Sequence, residues 1–170
     1  MLMLFLSINV FAQVKTNITR SKITFQIKNL GINTGGSISG LQASINLDPA
    51  NLNSSAIEGS VDVNTINTDN DTRDHHLKEE GFFDAARYPK ITMKSVSIKH
   101  KGGQNYVGVF NLTMKDKTKQ VEVPFSYIET ANGASIKGSF KLNRTDFGVG
   151  GKSLIMSSEV TANIELDVAK

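Results

Sequence analysis

The chain contains no cysteine. That excludes a disulfide scaffold, cysteine nucleophiles and thiolate metal sites. A chain of 170 residues can close a core without such staples, so the absence is compatible with export. The N-terminal apolar run is shorter than the roughly 20 residues a helix needs to cross a bilayer. No stretch of lysine and arginine is interleaved with stacking aromatics, which argues against nucleic-acid binding. The zinc spacing His-x-x-x-His is missing, as are the Gly-x-Ser-x-Gly elbow and any phosphate-cradling glycine motif. What remains is 39% hydrophobic and 21% charged, the composition of one ordinary folded domain. The net charge of +3 is mild and diffuse, and suits an anionic head group or membrane surface.

Residues 1–12 resemble the h-region of a secretory signal, with Val10 and Ala12 at cleavage positions before Gln13. The basic n-region is lacking, so this reads as a truncated signal peptide, with 13–170 as the mature domain. A first β-strand or a hydrophobic tail is the alternative.

Period-two alternation dominates the rest. Ile23, Phe25 and Ile27 share a face, as do Leu41, Ala43, Ile45 and Leu47, and then Ile57, Gly59, Val61 and Val63. A run from Ile91 and Met93 changes phase at Val96, which predicts a bulge. The second half is clearer: Tyr106 to Met114, Val121 to Tyr127, Ala134 to Leu142 and Val160 to Val168 each alternate with polar residues. That is the pattern of sheets with one wet face. Turn residues separate the runs at 101–104, 115–117 and 131–133. About eight strands joined mostly by short turns predict an all-β, antiparallel up-and-down barrel, with a sandwich as the alternative. Four glycines between Gly31 and Gly40 would ease a bend or a mobile rim. One segment departs from the pattern: Asp71 or Thr72 would cap a short helical excursion over residues 71–81, ending at Gly81, before Phe82 and Phe83 turn back to the barrel.

Few residues invite a chemical role. His75 and His76 are adjacent, so on a helix they point about 100° apart and form no chelating face. They read as surface or packing histidines rather than metal ligands, and His100 has no motif around it. Arg73-Asp74 and Arg144-Thr145-Asp146 are basic–acidic pairs. Each would pin a loop to the barrel as a partly buried ion pair, or offer its arginine to a ligand head group. Gly148 to Gly151 reads as a flexible turn before the last strand.

In order along the chain stand Ser21-Lys-Ile-Thr-Phe25, Thr65-Ile-Asn-Thr68, Arg73-Asp-His-His-Leu77, Phe82-Phe83-Asp84, Tyr88-Pro89, Leu112-Thr113, Thr118-Lys119 and Arg144-Thr-Asp-Phe-Gly148. In this order and spacing they resemble the YceI-like family of exported lipid-binding proteins, over nearly the whole mature chain. Asp116 stands where that family usually has glycine, in a turn that aspartate's tolerance of left-handed backbone should preserve. The resemblance implies a lipocalin-like barrel in the bacterial periplasm, or secreted, that binds a polyisoprenoid or similar amphiphile.

An eight-stranded barrel is near the smallest that can enclose a ligand, and strands of about ten residues span roughly 34 Å. Small inward residues (Gly108, Gly138, Ala162) beside Phe110, Phe140 and Ile164 would leave a tunnel with aromatic walls, joined by Phe25, Phe82 and Phe83. Arg73 and Arg144 are the head-group candidates. The leading expectation is a carrier or store for a long-chain isoprenoid or fatty-acid-like lipid, with no catalytic residue, metal, other cofactor or nucleic-acid partner. Contact with a membrane surface is open, and the oligomeric state is undetermined. Alternatives are an interaction module with a filled core, or an enzyme with a site near His75 or Asp146.

Overall fold

The computed structural model describes residues 16–170, so the expected signal peptide and the start at Gln13 lie outside the described residues. Eight antiparallel strands run in sequence order around a closed barrel: β1 (Asn17–Asn29), β2 (Ile32–Asn46), β3 (Ala56–Asn67), β4 (Lys90–Gly102), β5 (Asn105–Met114), β6 (Lys117–Thr130), β7 (Gly133–Asn143) and β8 (Met156–Ala169). The up-and-down barrel is therefore the architecture, and the sandwich is excluded. Closure comes from β1 on β8, with Ile23 opposite Ile164 and Phe25 opposite Ala162. One helix, α1 (Asp71–Lys78), fills the connection from β3 to β4.

The topology gives the barrel two unlike ends. The odd connections and α1 lie at one, here called the helix end. The even connections and both chain termini lie at the other. At the latter end Tyr106, Phe125, Ile136 and Leu166 are buried together. The rings of Tyr106 and Phe125 stack at 5.6 Å, and Tyr127 meets Tyr106 edge-on at 6.4 Å. A second cluster, Phe110, Leu112, Val123, Phe140, Phe147 and Val149, lies toward the helix end.

The barrel wall departs from regular pairing in three instructive places. The predicted bulge on β4 is present as a register shift between Ser95 and Ser97. β2 bends where Gly40 takes φ +71° and the register to β3 slips twice. Its glycine-rich stretch is a continuous strand rather than a mobile rim. β6 pairs with β7 only from Phe125↔Gly138 to Thr130↔Gly133. The pairing stops at Pro124, which has no N–H to donate. Beyond it the chain after β7 makes a 3₁₀ turn at Arg144–Phe147, and Phe147, 2% exposed, packs into the second cluster.

The helix ends earlier than residue 81, and its cap is Asn70, whose side chain accepts from Arg73 N at 2.9 Å. Beyond Lys78 the backbone folds back on itself: Phe83 N donates to Leu77 O and Asp84 N to Glu79 O. Those bonds set Phe82 and Phe83 against the barrel, which is why the helix cannot continue to Gly81. The turn before β6 also differs from expectation. Its left-handed residue is Lys115, φ +56°, not Asp116, and Lys115 Nζ donates to Glu80 O and Gly148 O, tying the turn to both neighbouring loops.

Glycine is needed where strands approach closely. A Cβ at Gly36 would stand 2.7 Å from Asn67 O and 2.7 Å from the Phe25 ring. Gly36→Ala is expected to cost about 1–3 kcal/mol, the usual cost of overpacking, read as a lower urea midpoint with an unchanged slope.

Candidate functional site

The inward faces of the strands do not fill the barrel. Between the aromatic cluster and the helix end lies a cavity of about 300 Å³, within the range of small-molecule sites. On β7 its wall runs from Ile136 to Leu142, and on β1 from Ile23 to Asn29. Either stretch is about 20 Å long at about 3.4 Å per residue. This is shorter than the full strand length, because the contacting rings of Tyr106, Phe125 and Tyr127 pack the opposite end. The filled-core alternative thus describes one end of the barrel and not the other.

The lining is overwhelmingly aliphatic and aromatic. Of its charged residues, Glu58 falls on the outward phase of β3 and pairs with Lys94 at 3.8 Å. Arg73 and Arg144 are the other two. Phe25, Phe110, Phe140, Ala162, Ile164 and Gly138 line the wall as the alternation placed them, and Phe82 and Phe83 cover it from the helix end. Gly108 is the exception. It is buried, but a Cβ there would strike the ring of Phe110, so that ring, and not the open cavity, occupies the space beside it. Gly138 borders the cavity with little room of its own: a Cβ would lie 3.3 Å from Phe125 Cβ and from Val123 Cγ1. Pattern reading missed Leu142, Val160 and Met156, which also line the cavity. The first two continue the inward phase of β7 and β8, so the signal was present.

Neither arginine forms the expected ion pair with its neighbouring aspartate. Asp74 accepts from the N–H of Thr68 at 2.9 Å and from its hydroxyl at 2.5 Å. Arg73 donates to the same residue, Nε to Thr68 Oγ1 at 2.7 Å and Nη2 to Thr68 O at 2.6 Å. Arg73 and Asp74 therefore grip one threonine together rather than each other. Asp146 is exposed, and Arg144, 4% exposed, meets backbone carbonyls instead. Its Nε donates to Ser157 O at 2.8 Å, Nη1 to Val149 O at 2.8 Å and Gly151 O at 3.0 Å, and Nη2 to Met156 O at 3.4 Å. Desolvation pulls its pKa below the ordinary guanidinium value. A guanidinium stays protonated at neutral pH all the same. Carbonyls suit the role because the loop that leaves β7 has backbone acceptors with no strand to pair with. The segment predicted as a flexible turn is packed by this arrangement: Val149 and Gly150 are buried, and Gly150 N bonds to Gly81 O at 3.0 Å.

With four of its donors spent, Arg144 has little left for a ligand, whereas among the described residues Arg73 Nη1 has no hydrogen-bond partner. Asn29 lines the cavity near the same end, and its buried Oδ1 has no hydrogen-bond partner among the described residues. His75 and His76 lie on the outer side of α1 and share Glu79, at 3.4 and 2.8 Å. Among the described residues no group of three or more His, Cys, Asp or Glu side chains gathers in a way that could hold a metal ion.

The YceI-like domain model matches residues 14–169. The chain belongs to the YceI-like family. Its likeness to a UPF0312 protein of Vibrio cholerae serotype O1 is 25% identity over 162 residues, covering 91% of this chain and 84% of the relative. Among solved structures it resembles BcnA of Burkholderia cenocepacia, with a TM-score of 0.83 and 26% identity over 88% of this chain and 96% of that one. It also shares its fold with a polyisoprenoid binding domain from Saccharophagus degradans, implicated in plant cell wall breakdown. There the TM-score is 0.65 and the identity 13%, over 91% of this chain and 97% of the other. The YceI-like motif around Arg144 is thus accounted for locally: the arginine organises the loop that borders the cavity.

Removing that arginine leaves several loop carbonyls without their donor. Arg144→Met is expected to cost about 2–4 kcal/mol, as loss of a buried hydrogen-bonded network does. Arg144→Lys keeps the charge but not the planar fork, and should recover less than half of the loss. Urea denaturation of the three proteins checks both.

Proposed function

We propose that this YceI-like protein binds one long apolar lipid, an isoprenoid or a similar amphiphile, inside the barrel, and that it acts without catalysis as a carrier or store in the bacterial periplasm. The observation that carries the reading is the cavity of about 300 Å³ walled almost entirely by apolar side chains. A site of this composition offers area and no polar specificity along most of its length. Each methylene taken from water contributes about 0.8 kcal/mol, so affinity would grow with chain length. The Saccharophagus degradans domain, described as polyisoprenoid binding, shares the fold and supports the choice of ligand class. The absence of catalysis is supported by the placement of the titratable groups: His75 and His76 pair with Glu79 on the outer side of the helix, and Asp146 is exposed. Arg73 is the better head-group residue, since Arg144 is committed to the loop.

Occupancy can be blocked from within. Gly138 is a poor place to do so, because any side chain there begins in tight contact. Ala162 faces the cavity from β8, opposite Phe25 on β1 and Phe140 on β7. Ala162→Phe is expected to keep the fold within about 1 kcal/mol, below the usual cost of overpacking a full core, and to lose lipid that the wild type retains. Native mass spectrometry and lipid extraction of gently purified protein, with thermal melting of the same samples, read both. An early-melting variant, from a wild type that never carries lipid, would sink the proposal.

A further inference from the structure

Six large apolar side chains are exposed among the described residues, and four of them, Leu30, Ile32, Leu154 and Ile155, gather at one place. Leu30 and Ile32 sit on the β1–β2 turn, and Leu154 and Ile155 on the loop entering β8. Leu30 N donates to Ile155 O at 2.8 Å, so the two tips form one surface. Leu154 is fully exposed, and Leu30 and Ile32 are 69% and 70% exposed. None of the four belongs to a packed cluster of the barrel.

The surface lies at the rim of the cavity. Asn29, which lines it, pairs with Ile32 on one side and with Met156, also in the lining, on the other. α1 covers the helix end from the β3 side and the segment after it reaches the β7–β8 loop, where Gly150 N bonds to Gly81 O, so the apolar tips stand beside that cover, where the loop meets the β1–β2 turn.

The turn chemistry is adverse unless something selects for it. Leu30 has φ +51° and Gly31 φ +76°, the conformation of a hairpin turn that favours Asn-Gly. A leucine there is strained and wet at once, and backbone strain of this kind collects at functional sites. The tips also carry charge of one sign. Residues 28–34 and 151–156 contain Lys28 and Lys152, both exposed, and no aspartate or glutamate. Exposed aliphatic tips flanked by lysines match the apolar–basic pattern that binds the interface of an anionic bilayer.

We propose that these two tips dock the protein on an anionic phospholipid bilayer, with Leu30 and Leu154 entering the interface, so that the cavity rim opens against the membrane. The purpose, though not the docking itself, rests on the lipid-carrier reading, because a lipid passing from bilayer to cavity at this rim would avoid water.

The test is flotation with vesicles of phosphatidylcholine containing phosphatidylglycerol, and with phosphatidylcholine alone. Wild-type protein should float with the anionic vesicles, less so at high salt. The double variant Leu30→Asn/Leu154→Asn should bind about tenfold more weakly, through lost apolar insertion. It should melt no earlier than wild type, because asparagine suits the left-handed backbone at position 30 better than leucine does. A wild type that does not float, or a variant that floats equally, overturns the inference. So does a dimer that becomes a monomer in the variant while neither protein binds vesicles, since a second copy would then cover the patch. Lipid extraction from the same preparations separates the two ideas. Lipid in the barrel without vesicle binding defeats the docking alone, whereas vesicle binding by a protein that never holds lipid supports the docking and defeats the carrier reading.

Discussion

Everything else in this molecule depends on the pairing of its first strand with its last. Open, the sheet would present two edges of unpaired backbone, and the cavity would have no fourth wall. Closed by β1 on β8, the chain buries the backbone polar groups of its wall and gains an interior at the same stroke. The seam joins residues 152 positions apart at Asn17↔Ala169 and 127 apart at Asn29↔Met156. Loop closure over that distance is entropically unfavourable and must be repaid by side-chain contacts on both faces. Inside, Ile23 meets Ile164 and Phe25 meets Ala162. Outside, Arg20 binds Asp167 at 2.7 Å and approaches Glu165 at 3.6 Å, and the arginine's hydrogen bond holds the Asp167 carboxyl below its usual range. Those outer charges are exposed, so their value lies in setting register more than in adding stability.

Closure does not determine whether the interior is full. That follows from where the large rings fall. At the end carrying the chain termini Tyr106, Phe125 and Tyr127 meet one another. Beyond that layer, where Gly138 stands opposite Phe125, the wall continues through Ala162 with the rings of Phe110 and Phe140 beside it. At the rim of that part, Arg144 fastens the loop after β7 through the carbonyls of Val149, Gly151, Met156 and Ser157, while Lys115 ties in the neighbouring turn. A charge with no carboxylate beside it is an expensive thing to bury. Its persistence at 4% exposure is intelligible because it replaces several backbone donors that an irregular loop cannot supply for itself.

Eight strands, their order, the bulge on β4 and most of the inward positions were legible in the sequence, because a two-residue period reports directly which face is buried. What escaped was whatever depends on a third dimension. Gly108 has the same phase as its neighbours, yet the ring of Phe110 folds over it, and nothing in the alternation says which rotamer a phenylalanine takes. Arg144 and Asp146 lie two residues apart with opposite charge, so an ion pair was the economical reading. Both lie in one 3₁₀ turn, which buries Arg144 among backbone carbonyls and leaves Asp146 exposed. The helix boundary failed for a similar reason. Gly81 is a legitimate helix stop, but tertiary contacts of Phe82 and Phe83 claimed the backbone first. The plug at one end was invisible for a plainer cause, since a row of inward aromatics fits a tunnel wall and a filled core equally well.

The two unlike ends also give the interior a direction. On the inward phase of the strands, the wall near the aromatic plug is Phe125, Ile136 and Leu166, without a polar side chain among them. Of the polar residues in the lining, Asn29, Thr34, Thr68, Arg73 and Arg144 lie toward the other end, while Thr24, Glu58, Ser60 and Thr92 belong to the outward phase of their strands. Thr68 and Arg73 bond each other, while among the described residues Arg73 Nη1 and Asn29 Oδ1 have no hydrogen-bond partner. An apolar chain with one polar terminus would place that terminus here, because the reverse orientation buries it against phenylalanine and leucine at a cost of about 1–3 kcal/mol per unmet hydrogen bond. With the far end shut by stacked rings, such a chain would enter tail first and leave head first through the same rim. On the lipid-carrier reading proposed above, the depth of such a cavity would set the chain length it accepts.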